Sequence, residues 1–193
     1  MLKLREINVT IRKAKREDMS QVFKLVKALA EFEKLEHTMT LNAETFEKDG
    51  FDCDNPAYTC LVAELSDGYI IGYALYYTAY STWLGRSIFL EDLYVQPAYR
   101  KNGIGTQLFL GVAKVAHESP SKKMDFHVLS WNPAGDFYKR MGAVDLTIHE
   151  KWHHFRMDQD CLNRLIAAVE AQSNAQRQQS SAQNSTELGA QGS

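Results

Sequence analysis

Two adjacent carboxylates, Glu91 and Asp92, interrupt an apolar run that reads Ile88-Phe89-Leu90 before them and Leu93-Tyr94-Val95 after. A strand this apolar belongs inside a sheet, where a carboxylate is costly unless it is paired or used. Alternation along a strand sends one of the two acids to each face. Pro97 ends the strand, and a basic turn follows, Arg100-Lys101-Asn102-Gly103-Ile104-Gly105, with Thr106 opening an amphipathic run. A glycine turn feeding a helix N-terminus is an anion site. Unpaired N–H groups and the helix dipole favour negative charge, and glycine lets backbone approach a phosphate. The spacing R-x-x-G-x-G is not the dinucleotide-binding G-x-G-x-x-G. Nor is it the phosphate loop G-x-x-x-x-G-K-[ST], because no Lys-Ser/Thr follows Gly105. Alone, the turn is weak evidence, since a plain strand-to-helix connection also reads this way; the acids upstream make it a candidate site.

The elements that must position these residues follow from periodicity. Asn8 to Arg12 alternates as a first strand. Glu17 to Glu33 places Met19, Val22, Phe23, Val26, Leu29 and Ala30 at helical spacing, and Asn42 can cap a short helix closing before Gly50. Thr59 to Glu64 and Tyr69 to Tyr80 read as strands joined by the hairpin signal Ser66-Asp67-Gly68. The turn Ser81 to Gly85 then leads into the strand through Glu91, giving an antiparallel meander. A helix runs from the glycine turn to near Pro120, and Lys123 to Leu129 forms the next strand. Trp131-Asn132-Pro133 breaks it before a short helix from Ala134 to Met141. Two strand-like segments follow Asp145, the second from Trp152 to Met157, and Asp160 can cap a last helix bearing Leu162, Leu165, Ile166 and Val169.

Composition narrows the classes. With 193 residues, 45% hydrophobic and 11% aromatic, the chain is expected to fold as one soluble domain over 1–171. From about Gln172 the sequence turns to Gln, Ser, Asn, Ala and Gly without an aromatic, so 172–193 is expected to be a disordered polar tail. A formal net charge of −2 offers no basic field for nucleic acid or a membrane surface. No apolar run approaches a bilayer span, and MLKLREINVT has no signal-peptide core. Cys53, Cys60 and Cys161 are too few and wrongly spaced for a disulfide frame or a zinc site. Reduced thiols in the cytoplasm, with no metal, are the expectation.

The pattern of LEDLYV followed by R-x-x-G-x-G resembles the acetyl-CoA-binding motif of the GNAT family of N-acetyltransferases. LEDLYV, YRKNGIG, WN and FYKRMGA also occur in the order and spacing of its spermidine/spermine (diamine) branch, over about Val9 to Met157. The resemblance implies an α/β (α+β) GNAT fold, a mixed and mostly antiparallel sheet of six or seven strands flanked by helices. It implies acetyl-CoA as cosubstrate, with Arg100, Lys101, Asn102, Gly103, Ile104, Gly105 and Thr106 around its pyrophosphate. The backbone of Leu93, Tyr94 and Val95 would pair with the pantetheine amides, and Asn132 would contact the cofactor. Tyr138, in FYKRMGA, would be the general acid to the leaving thiolate. Glu91 would bind the acceptor ammonium and help remove its proton through water. Phe32 and Glu33 match an aromatic-acid pair lining the acceptor pocket, and Asp125, Phe126 and His127 match the strand facing it.

Two departures bear on the acceptor. His127 stands where the spermidine enzyme usually has an aliphatic residue, and Ser81-Thr82 replaces its acidic turn. The Ser81-Thr82 turn resembles the thialysine N-epsilon-acetyltransferase group, so the expected acceptor is a thialysine-like or lysine-like amino acid or a diamine. The alternatives are a spermidine/spermine acetyltransferase, a peptide acetyltransferase, and a CoA-binding module without activity. Members of the branch form homodimers in which both chains line each acceptor pocket, and a homodimer is expected here.

Overall fold

The computed structural model describes residues 8–120 and 122–173. Five strands form one sheet in the order of the chain: β1 (Val9–Lys13), β2 (Thr59–Leu65), β3 (Ile70–Ser81), β4 (Gly85–Val95) and β5 (Met124–Phe126). The first four pair antiparallel, as short hairpin connections allow, and β5 joins β4 in parallel after a helical crossover. Helices α1 (Met19–Glu33) and α2 (Ala43–Phe51) lie between β1 and β2, and α3 (Ile104–Glu118) lies between β4 and β5. Asn42 caps α2 as its position suggests, its side chain accepting from Thr45 N. Helix α1 ends where Lys34 turns left-handed at φ 61°.

The sheet is covered on both faces. Met19, Val22, Phe23, Leu25 and Leu29 of α1 and Phe46 of α2 pack with Cys60, Val62, Ile70, Tyr73, Leu75 and Tyr94 of the sheet. Ile104, Leu108, Phe109, Val112 and Ala116 give α3 its buried stripe. Burying side chains of this size stabilises by about 1.5–3 kcal/mol each. At Gly72 a Cβ would stand 2.8 Å from the Tyr94 carbonyl, so glycine is what lets β3, β4 and α3 approach so closely. Arg12 of β1 ties the α1 side together, bonding Asp18 at 2.6 and 3.0 Å and Glu64 at 2.7 and 2.9 Å.

The sheet has five strands among the described residues, not six or seven. The strand expected over Lys123 to Leu129 is three residues long, because β5 meets β4 only from Ile88 to Leu90. After Asp145 the chain is not extended: its side chain accepts from Thr147 N and starts a short helix, α5 (Leu146–His149). Trp152 to Met157, the expected last strand, is exposed throughout and has no strand partner among the described residues. Without a neighbour its backbone groups gain nothing over water, so a strand-like sequence alone does not make a strand. Residues 159–173 are helical, with Asp158 rather than Asp160 accepting from Cys161 N at 2.8 Å. Of the polar tail expected from Gln172, residues 174–193 lie outside the described residues.

The chain divides into two units, one ending at Phe137 and one beginning at Tyr138, inside α4 (Ala134–Arg140). The first holds the sheet and α1 to α3. In the second, α4 closes through Gly142 at φ 96°, with Ala143 N donating to Tyr138 O. That unit exposes much apolar surface, including Ile148, Trp152, Phe155 and, on its last helix, Leu162, Leu165, Ile166 and Val169.

Candidate active site

The glycine turn is shaped by its own chain. Lys101 and Gly103 take φ of 65° and 75°, and the Asn102 amide donates to the carbonyls of Tyr99 and Arg100. Gly103 is the N-cap of α3 and provides no side-chain cap. The first N–H groups of this 15-residue helix therefore keep the donors that a helix start leaves unpaired. A Cβ at Gly105 would meet nothing closer than a Val95 methyl at 3.8 Å. The fold itself does not require glycine there. What glycine preserves is open space above the helix start, which fits a pyrophosphate.

Arg100 sits differently from a simple phosphate ligand. Its Nε donates to Val95 O at 2.8 Å, and its guanidinium lies 5.3 Å from the ring centroids of both Phe32 and Tyr94. Cation–π contacts of this kind contribute about 0.5–2 kcal/mol. One side chain thus joins the turn, β4 and the end of α1. Phe32 in turn lies 5.7 Å from Trp131, which the sequence reading left without a role.

Strand β4 carries a bulge at the carboxylates. Tyr76 pairs with Leu90 and Leu75 with Asp92, so Glu91 is the extra residue. Bulges bend a strand and re-aim side chains, and they are common beside active sites. Beyond Leu90 the pairing with β5 has ended, so Glu91 to Val95 are strand-paired to β3 alone among the described residues. Their other edge is a row of backbone groups available to a ligand. The bulge interrupts the regular alternation from which the placement of Glu91 and Asp92 is expected.

The two acids differ in environment. Glu91 is exposed, while Asp92 is half-buried and accepts from the Tyr73 hydroxyl at 2.9 Å. Burial pushes the Asp92 carboxyl up to about 6, the Tyr73 hydrogen bond works against this, and the charges of Glu91 and Glu33 add to it. Burial also raises Glu33, at the end of α1, and raises Tyr73 well above the usual phenol range. Glu33, Glu91 and Asp92 therefore form one cluster. Tyr73 is the functional candidate that sequence reasoning passed over, and Asp92, singled out there beside Glu91, is given no role of its own by it.

The remaining candidates are spread wider. Asn132 folds back, its Oδ1 accepting from Ala134 N at 3.0 Å to start α4. Tyr138 is half-buried on α4, in the second unit. Asp125 pairs with Lys123 at 2.8 Å, Phe126 packs edge-on to Phe109, and His127 packs edge-on to Phe89 beside β4. Ser81 spends its hydroxyl on the hairpin tip, accepting from Trp83 N and Leu84 N. From Gly85 to Glu91, β4 runs about 20 Å at the usual strand rise, so within this chain Ser81 and Thr82 are not brought to the carboxylate cluster. No cluster of His, Cys, Asp or Glu able to hold a metal occurs among the described residues.

Known proteins match this arrangement. The profile of the acetyltransferase (GNAT) family matches residues 22–143. Thialysine N-epsilon-acetyltransferase of Bos taurus is 42% identical over 165 residues, covering 81% of this chain and 96% of that protein. Spermidine/spermine N(1)-acetyltransferase-like protein 1 of Homo sapiens is 36% identical over 157 residues, covering 78% of this chain and 22% of that protein. Among solved structures, an integron cassette protein from the mobile metagenome of V. cholerae superposes with a TM-score of 0.65 at 21% identity, covering 82% of this chain and 97% of that one. The uncapped glycine turn, the bulged strand and these matches together place the chain in the GNAT family of acetyltransferases.

Proposed function

We propose that the protein transfers the acetyl group of acetyl-CoA to a primary amine of a small molecule, a thialysine-like or lysine-like amino acid or a diamine. The observation that carries this reading is what gathers along the last half of β4. There an uncapped helix start behind Gly103 and Gly105, an open strand edge from Glu91 to Val95 and a cluster of three carboxylates lie together. The first suits a pyrophosphate, the second an amide-bearing arm and the third an ammonium group. The 42% identity to a thialysine N-epsilon-acetyltransferase supports the choice of acceptor.

In this reading backbone N–H groups of Lys101 to Thr106 hold the pyrophosphate, with Lys101 adding charge and Arg100 holding the turn in shape. Leu93, Tyr94 and Val95 pair with pantetheine through their backbone, and Asn132 adds a contact. The amine attacks the thioester directly in a ternary complex, with backbone donors polarising the carbonyl. Glu91 holds the ammonium, Glu33 and Phe32 line its approach, and Tyr138, placed by the motif FYKRMGA, protonates the leaving thiolate. An ammonium with a pKa of about 10 must lose a proton before it attacks, so carboxylates belong at this point. Free thiols at Cys53, Cys60 and Cys161 fit a reducing, cytoplasmic setting.

The acceptor pocket is completed by a second copy of the chain. The apolar surface on residues 144–169 supports a homodimer, and the remoteness of Ser81 and Thr82 from Glu91 along β4 supports their acting in the partner's pocket. The carboxylate cluster also suits a polycation, which keeps spermidine as the second reading. A steady-state screen with acetyl-CoA and lysine, thialysine, diamines, spermidine and short peptides decides between them. Preference for thialysine or lysine supports the first reading, and preference for spermidine replaces it. Turnover of peptides alone would refute a small-molecule acceptor.

A further inference from the structure

We infer that Asp92, held by the Tyr73 hydroxyl beside the bulge of β4, carries the proton away from the acceptor amine, while Glu91 positions the ammonium. This rests on the acetyltransferase reading above and deepens it.

The first argument is what Asp92 lacks. Buried carboxylates that serve the fold are matched by cations or by several donors, as Asp18 is by Arg12 and by Lys15 N. Asp92 has one neutral donor among the described residues, Tyr73. The groups that face it come from every neighbouring element: Glu33 of α1, Cys60 of β2, Tyr73 of β3 and Glu91 of β4. None of them is a cation. An arriving ammonium is the partner this carboxylate misses.

Geometry gives the second argument. The bulge shifts the register by one residue, so that Asp92 rather than Glu91 stands opposite Leu75 and beside Tyr73. Tyr73 is fully buried, and burial keeps its phenol protonated, so it remains a donor throughout. It fixes one carboxylate oxygen and leaves the other for the substrate. Tyr73 is thus a positioning residue. The raised Asp92 carboxyl adds to this: a base near 6 is still ionised at neutral pH, yet binds a proton more strongly than a surface aspartate.

The step balances. The ammonium gives one proton, through water, to the Asp92 carboxylate and becomes a neutral amine. The nitrogen lone pair forms the C–N bond at the thioester carbonyl as the C–S bond breaks. Tyr138 gives its phenolic proton to the departing thiolate and is reprotonated by the second N–H proton, giving the amide and free CoA, and Asp92 returns its proton to solvent.

The test is the pH dependence of kcat and kcat/KM for the wild type, Asp92→Asn, Tyr73→Phe and Glu91→Gln. Thialysine is the acceptor, acetyl-CoA affinity is measured by calorimetry and folding by circular dichroism. The wild type should show an acid limb near 6. Asp92→Asn should lose about 100-fold or more in kcat, with unchanged acetyl-CoA affinity, and should lose that limb. Tyr73→Phe removes the bond that holds the carboxyl down, so its limb should move to higher pH. Glu91→Gln should raise the amine KM and, by removing a neighbouring negative charge, move the limb to somewhat lower pH without abolishing it. A folded Asp92→Asn variant that binds acetyl-CoA and keeps kcat within about threefold overturns the inference. Where Asp92→Asn fails to fold, an unmoved limb in Tyr73→Phe overturns it equally. A wild type that acetylates no primary amine removes the underlying reading instead, and this inference with it.

Discussion

Asp92 should make the wild type less stable at neutral pH than a variant that cannot ionise there. In the folded chain its carboxyl is lifted from 3.8 to about 6, so the native state binds the proton more tightly than the unfolded state. Stability from this group is therefore full below pH 4 and lost as pH rises to about 6, after which the loss is constant. A lift of that size corresponds to about 2–3 kcal/mol. Asp92→Asn keeps the shape and an oxygen for the Tyr73 hydroxyl, but removes the charge. The variant should match the wild type near pH 4 and exceed it by about 2 kcal/mol near pH 8, the lost repulsion between Asp92 and Glu33 acting in the same direction. Urea denaturation at the two pH values measures the difference as a shift in midpoint at constant slope. An Asn variant equally destabilised at both pH values would refute the reasoning. So would one that loses stability as pH rises, since Asp92 would then be a stabilised carboxylate and not a desolvated one.

Other perturbations test the parts separately. Gly72→Ala puts a methyl against the Tyr94 carbonyl and should cost about 1–3 kcal/mol in denaturant unfolding, because backbone cannot give way cheaply. Gly105→Glu has room in the fold but fills the cradle with an anion, so calorimetry should find acetyl-CoA binding abolished in a protein of ordinary stability. Arg12→Met leaves Asp18 and Glu64, both held below the usual carboxylate range by Arg12, without their cation and should destabilise the fold near pH 7. That loss should shrink on acidification, as protonation removes the stranded charges, and unfolding at two pH values checks it. Tyr138→Phe should lower kcat by about 10- to 1000-fold with little change in acetyl-CoA affinity, and an unchanged rate would remove it as the acid.

Much of this architecture is written locally. The meander from Thr59 to Val95 is legible because runs rich in apolar and aromatic residues and the Asp67-Gly68 and Gly85 turns point to the same pairing. The glycine turn and α3 are legible because a strand end, positive-φ glycine and an apolar stripe occur in succession. The candidate site is less so. Counting back from the Ser81–Gly85 turn puts Glu91 opposite Leu75, and the bulge at Glu91, which no local signal marks, gives that place to Asp92. Arg100 reads as a phosphate ligand from sequence, whereas its stacking on Phe32 and Tyr94 depends on tertiary packing. The segment from Trp152 to Met157 reads as strand-like, but a strand is made by its neighbour, and sequence spacing does not supply one.

The central claim is that this chain moves an acetyl group from acetyl-CoA to a primary amine. Mass spectrometry of thialysine or lysine incubated with the protein and acetyl-CoA tests it most directly. The account predicts a product heavier by one acetyl group on the side-chain amine, with one free CoA released per acetyl transferred, and no product with Gly105→Glu. Release of CoA without any acetylated amine, or acetylated product undiminished in the Gly105→Glu variant, would contradict it.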